Sequence, residues 1–101
     1  MPYQIYETET FSKLYDVMEK VEQEWVEKIK QQLIENSQVG KPLKFDWFRE
    51  NKFGDKRMYY LVYKNVSKIL LVSFGSKKYQ QKIIDHVIGN KERYRKIIGS
   101  V

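Results

Sequence analysis

The sequence predicts an α+β domain: a small, mostly antiparallel four-stranded sheet with a long N-terminal helix, or a helix pair, and further helices at the C-terminus. Three observations carry that prediction. Between Phe11 and Leu33 the apolar residues Leu14, Tyr15, Met18, Val21, Trp25 and Ile29 recur in steps of three and four. Two β-branched and aromatic runs, Met58 to Tyr63 and Lys68 to Phe74, flank a four-residue polar link. A second helical stripe then follows a Gly-Ser pair. At 101 residues the chain has room for one core, so residues 1–101 are read as a single domain.

The elements follow in order. Tyr3 to Glu7 mixes β-branched and aromatic residues and reads as a first strand. Thr10 is the expected N-cap of the helical stretch, and Asn36-Ser37 followed by Gly40-Lys41-Pro42 ends it. Phe45 to Arg49 is the second strand, with a turn over Asn51 to Asp55. Met58 to Tyr63, apolar or aromatic throughout, suits a central strand, and the next run returns antiparallel to it. Gly75-Ser76 opens a helix whose buried stripe is Tyr79, Ile83, Ile84, Val87 and Ile88; Gly89-Asn90 stops it, and Lys91 to Ile98 forms a last short helix.

Composition narrows the function. There is no cysteine and one histidine, His86, which excludes a thiolate metal site and a disulfide framework. No cofactor and no metal are expected. No signal pattern or long apolar run is visible, so the chain reads as a soluble cytoplasmic protein without a membrane partner. The net charge of +6 is unevenly placed. Residues 1–40 hold four lysines against eight carboxylates, and residues 41–101 hold 15 Lys or Arg against five carboxylates. Such a split points to a polyanion-binding face, above all for nucleic acid, or to a solvated lysine-rich surface.

The cations concentrate around one corner. Lys77 and Lys78 sit in the first turn of the expected helix, where the macrodipole disfavours positive charge unless an anion is held there. Free backbone N–H groups, the Ser76 hydroxyl and two ammonium groups would converge on a phosphate. Arg57, just before the central strand, should lie beside that corner and can grip a phosphate with two parallel bonds, or pair with Asp55 or Glu50. Glu50 is the candidate proton acceptor. Lys41, Lys44, Arg49, Lys52, Lys56 and Lys82 complete the candidate set for binding nucleic acid, which the resemblance given below makes RNA. Tyr79 and Phe53 are either packing residues or stacking platforms for bases, and His86 is either structural or a proton carrier.

Four features together resemble the RelE/ParE toxin superfamily: the element order, Gly-Lys-Pro-Leu at 40–43, Arg57 followed by Met-Tyr-Tyr-Leu-Val-Tyr, and Ile-Leu-Leu-Val-Ser-Phe-Gly-Ser-Lys-Lys-Tyr-Gln at 69–80. The corner from Phe74 to Gln80 is most similar to the HigB-like branch, whose third helix opens with Lys-Lys-x-Gln. The resemblance covers residues 40–95 well and the N-terminal strand and helix in outline. It implies a RelE-like fold and the toxin of a type II toxin-antitoxin system: an endoribonuclease that cuts mRNA on the ribosome and is silenced by a cognate antitoxin. It also implies the chemistry, attack of a ribose 2′-OH on the adjacent phosphorus with cations stabilising the phosphoryl oxygens. Arg57, Lys77 and Lys78 match the family's basic residues, and Arg49 or Glu50 falls where it places a base. The family's late Tyr or His is replaced at that spacing by Ile83 and Ile84, with Tyr79 and His86 nearby. The fold also hosts a non-catalytic alternative, a nucleic-acid-binding or protein-interaction member, including ParE-like gyrase inhibition.

Overall fold

The computed structural model describes residues 2–101. Its elements run β1 (Gln4–Glu7), α1 (Glu9–Asp16), α2 (Lys20–Glu35), β2 (Lys41–Pro42), β3 (Phe48–Phe53), β4 (Lys56–Tyr63), β5 (Lys68–Ser76), α3 (Gln80–Gly89) and α4 (Lys91–Gly99). Single 3-10 turns cover Lys64–Val66 and Lys77–Tyr79. The α+β architecture holds, with five strands instead of four, in the order β1-β5-β4-β3-β2. The additional strand is β2, two residues long and therefore without a readable periodicity. Among the described residues only the β1–β5 pair is parallel.

Helix α1 starts two residues earlier than expected. Thr8, not Thr10, is the N-cap, and its hydroxyl accepts from the Phe11 N–H at 3.0 Å. The long helix is a pair: α1 closes on Val17, and α2 restarts after Glu19, whose N–H donates to the Glu22 carboxylate at 3.1 Å. The second strand is also displaced. Phe45 and Trp47 stack on each other at 4.9 Å in the loop, and pairing begins at Phe48. The expected turn residues Asn51 to Phe53 belong to β3, leaving Gly54, at φ 60°, to make the reversal.

The sheet separates two apolar layers. Met58, Tyr60, Val62, Ile69, Leu71 and Phe74 meet Phe11, Val26, Ile29 and Leu33 of α1 and α2. Their strand neighbours Phe48, Tyr59, Leu61, Leu70 and Val72 meet Ile84, Val87, Tyr94 and Ile98 of α3 and α4. One irregularity matters for the second layer. Tyr59 pairs with Ser73 but Tyr60 with Leu71, so Val72 is an extra, bulged residue and both Val72 and Ser73 turn toward α3. Gly40 joins the helices to the sheet under close constraint: its N–H donates to the Tyr60 hydroxyl at 2.9 Å, and a Cβ there would run into that hydroxyl and the Glu50 carbonyl. Among the described residues no helix is long and apolar enough to cross a membrane.

Candidate active site

Residues directly opposite in an antiparallel pair share a face, so the register assembles the site. Lys41, Glu50, Tyr59 and Ser73 form one row across β2 to β5, and Lys52, Arg57 and Gly75 form the next. Both rows lie on the α3 face. Gly75 adds no side chain to its row, which leaves the space beside Arg57 to the Lys77–Tyr79 turn and the start of α3.

Arg57 and Glu50 are each only 5% exposed. The Arg57 Nε stands 3.9 Å from a Glu50 oxygen and has no hydrogen-bond partner, while one terminal nitrogen donates to the carbonyls of Gly54 at 3.1 Å and Lys56 at 2.9 Å. The other Glu50 oxygen accepts a short bond from the Gln80 side-chain amide at the start of α3. The buried Tyr59 hydroxyl beside them is also unpartnered. Burial first, and then the neighbouring Glu50 carboxylate, pushes the Tyr59 phenol up to about 12, against smaller opposing effects of Gln80 and Arg57. It is therefore a protonated donor at neutral pH. An arginine, a carboxylate and a phenol with hydrogen-bonding capacity in reserve can together hold an oxyanion and exchange a proton with it.

The cationic corner differs in detail from the expectation. Strand β5 runs through Ser76, and a 3-10 turn intervenes before α3, so Lys77 and Lys78 do not open the helix. Their backbone donors are already engaged, Lys77 N–H with the Asp55 carbonyl at 2.8 Å and Lys78 N–H with the Ser76 hydroxyl at 3.4 Å. What the turn offers an anion is the pair of exposed ammonium groups, not a nest of free amides.

The remaining candidates divide. Lys41 and Lys52 are exposed at the ends of the two rows, and Lys44 is exposed in the loop before β3. Arg49 points to the opposite face and is buried, donating to the Gly40 carbonyl at 2.7 Å and to Asp46 at 3.0 Å. Lys56 also faces the α1–α2 layer, paired with the buried Glu22. Phe53 packs on Trp25 at 5.1 Å. Tyr79, Lys82 and His86 line a separate cleft beyond α3. Among the described residues no cluster of His, Asp and Glu is placed to hold a metal ion. Tyr59 was not singled out by the sequence, though counting two residues on from Arg57 along a strand finds it; Gln80 entered only as the last residue of the Lys-Lys-x-Gln pattern, with no role attached.

No family model matches the chain, and no curated protein matches it in sequence. Solved structures do match in shape. A mutant of the E. coli toxin RelE in the free state superposes with a TM-score of 0.71 at 16% identity, over 80% of this chain and 90% of that one. The fold is that of the RelE toxins. The same RelE fold recurs in the toxin-antitoxin complex RelBE2 from Mycobacterium tuberculosis (TM-score 0.65, 18% identity, 75% of this chain and 99% of that one) and in the archaeal RelE-RelB complex from Pyrococcus horikoshii (0.56, 14%, 75% and 96%).

Proposed function

We propose that the chain is the toxin of a type II toxin-antitoxin system, a cytoplasmic endoribonuclease that cuts mRNA on the ribosome. The observation that carries this reading is the Arg57–Glu50–Tyr59 group: buried polar side chains with unused donors, on a RelE fold, beside two free lysines. Glu50 takes the proton from a ribose 2′-OH as that oxygen attacks the adjacent phosphorus. Arg57 with Lys77 and Lys78 stabilises the charge that gathers on the phosphoryl oxygens. The bond to the 5′-oxygen breaks, the leaving oxygen takes a proton from the Tyr59 hydroxyl, which water then restores, and a 2′,3′-cyclic phosphate remains. Gln80 holds Glu50 in the free protein, so substrate engages the carboxylate once that bond opens. Lys41, Lys44, Lys52 and Lys82 track the RNA backbone. The Lys77-Lys78-x-Gln80 corner supports the HigB-like branch. E. coli RelE is seen bound to an antitoxin RelBc peptide, which supports a cognate antitoxin as this chain's partner.

Expression of the wild-type chain should produce ribosome-dependent cuts in mRNA, and Arg57→Ala should reduce cutting at least about 100-fold while circular dichroism stays native. Intact mRNA with the wild type, or undiminished cutting by the variant, overturns the proposal. Binding without cleavage is the second reading, and the burial of both Arg57 and Glu50 favours it. It predicts RNA affinity that falls steeply with salt and no cut product.

A further inference from the structure

Beyond α3 from the Arg57 group lies a cleft of about 500 Å³ that this chemistry does not use. The β5 bulge makes its floor by turning Val72 and the small Ser73 to the same side. One edge of α3 makes its wall, presenting Lys82, Ile83 and His86, with Tyr79 at the mouth and Tyr94 of α4 at the back. The cleft is thus apolar in much of its wall, with the Thr10 and Ser73 hydroxyls, an imidazole and an ammonium group at separate points on its lining.

Tyr79 is the unusual component. Its ring is 50% exposed, belongs to neither apolar layer, and carries the Lys78 ammonium 5.1 Å from its centroid. The sequence pattern put it on the buried stripe of α3, but the intervening 3-10 turn lifts it off that stripe. A large ring held at the mouth of a cleft, next to two lysines, is a surface on which a flat polyanion-borne group can stack. Position fits as well. Ser73 precedes Gly75, the cross-strand neighbour of Arg57, by two residues. That is about 7 Å along a strand, a step one extended nucleotide can span. The Lys77–Tyr79 turn stands between the two places.

We propose that this cleft receives one nucleobase of a bound RNA strand, stacked on Tyr79, with Lys78 and Lys82 on the flanking phosphates and Ser73 and His86 facing the base edge. The proposal rests on the reading of RNA as substrate and adds a subsite through which the protein selects where along the strand it sits.

The test uses an uncleavable 2′-O-methyl trinucleotide, so binding is read whether or not the protein cuts. An otherwise identical trinucleotide with one abasic position, and inorganic phosphate, are the controls. Nuclear magnetic resonance should show the Tyr79 and His86 ring signals moving with the intact trinucleotide and not with phosphate. Tyr79→Ala should weaken the intact trinucleotide about five- to tenfold and leave the abasic one unchanged, and Tyr79→Phe should restore the affinity. Equal affinity for intact and abasic RNA, equal losses on both with Tyr79→Ala, or ring signals moved by an acidic peptide instead of RNA overturn the cleft assignment. If RNA binds and Arg57→Ala weakens it while Tyr79→Ala does not, the cleft alone falls. If the wild type binds no RNA, the functional reading falls with it.

Discussion

Arg49 and Arg57 sit on adjacent strands and are about equally buried, yet they leave their polar atoms in different states. Arg49 has both terminal nitrogens engaged, with the carbonyls of Gly40, Gln38 and Asp46 and with the Asp46 carboxylate. Arg57 spends one terminal nitrogen on two nearby turn carbonyls and stands off its carboxylate partner by 3.9 Å. The tyrosines repeat the contrast on the opposite faces of one strand. The Tyr60 hydroxyl accepts from Gly40, and the Tyr59 hydroxyl, beside the Gln80 amide, makes no hydrogen bond of good geometry. Burial alone does not distinguish these polar groups; what differs is whether the terminal nitrogens and the hydroxyl are already engaged. The α1–α2 face closes the terminal atoms of its arginine and tyrosine on the chain itself and leaves the Arg49 Nε and the Asn51 amide nitrogen without partners, whereas the α3 face leaves the Arg57 Nε and the Tyr59 hydroxyl open beside a carboxylate.

That contrast can be broken by substitution. The largest effect belongs to Arg49→Ala, which empties a buried guanidinium site and takes the donors from the Gly40, Gln38 and Asp46 acceptors; it should cost about 2 kcal/mol in urea unfolding, with cleavage per folded molecule unchanged. Next come the two tyrosines. Tyr60→Phe leaves the Gly40 N–H without its acceptor and should cost about 1 kcal/mol. Tyr59→Phe removes a buried hydroxyl that has no partner, so stability should hold or rise slightly while RNA cleavage falls. Equal destabilisation by both would erase the distinction between the faces.

The smallest effect tests the closed face by pH. The bond from Lys56 holds the Glu22 carboxyl below its ordinary value of 4.5. The folded state therefore binds that proton less readily than the unfolded one. The resulting stabilisation is present above the ordinary value and is lost as pH falls through the folded value. Lys56 is partly in solvent, so screening keeps the contribution of the pair small. Glu22→Gln should melt below the wild type at pH 7, and the gap should close in acid.

Local patterns carried much of this molecule. The Met58 to Tyr63 and Lys68 to Phe74 strands, their antiparallel pairing and the placement of Arg57 beside Gly75 all follow from a short connection and alternation. Readings failed where tertiary contacts outweigh local pattern. Met18 and Val21 continue the apolar spacing straight through the α1–α2 break, so periodicity hides it. Strand β3 is polar on both faces, with Arg49, Asn51, Glu50 and Lys52 alternating, and the more apolar Phe45 to Trp47 displaced the expectation onto a loop. In the site, the basic residues were visible as charges, but which were already occupied was not. Arg49 is occupied by carbonyls of Gln38 and Gly40 and paired with Asp46, and Lys56 is paired with Glu22 from another layer. Tyr79 read as packing because the 3-10 turn that shifts its phase has no sequence signature.

Gly40 has a consequence for the molecule as an electrical object. Helices α1 and α2 carry most of the carboxylates of residues 1–40, and α3, α4 and the corner before them carry much of the excess positive charge, with the sheet between. Because Gly40 is clasped by Tyr60 and Arg49 and has no room for a side chain, the acidic layer cannot swing around to screen the basic one. The protein is a fixed dipole. Approaching a polyanion, it is turned α3 side first by the field, so the cationic corner arrives already oriented, and encounters slow as salt is added.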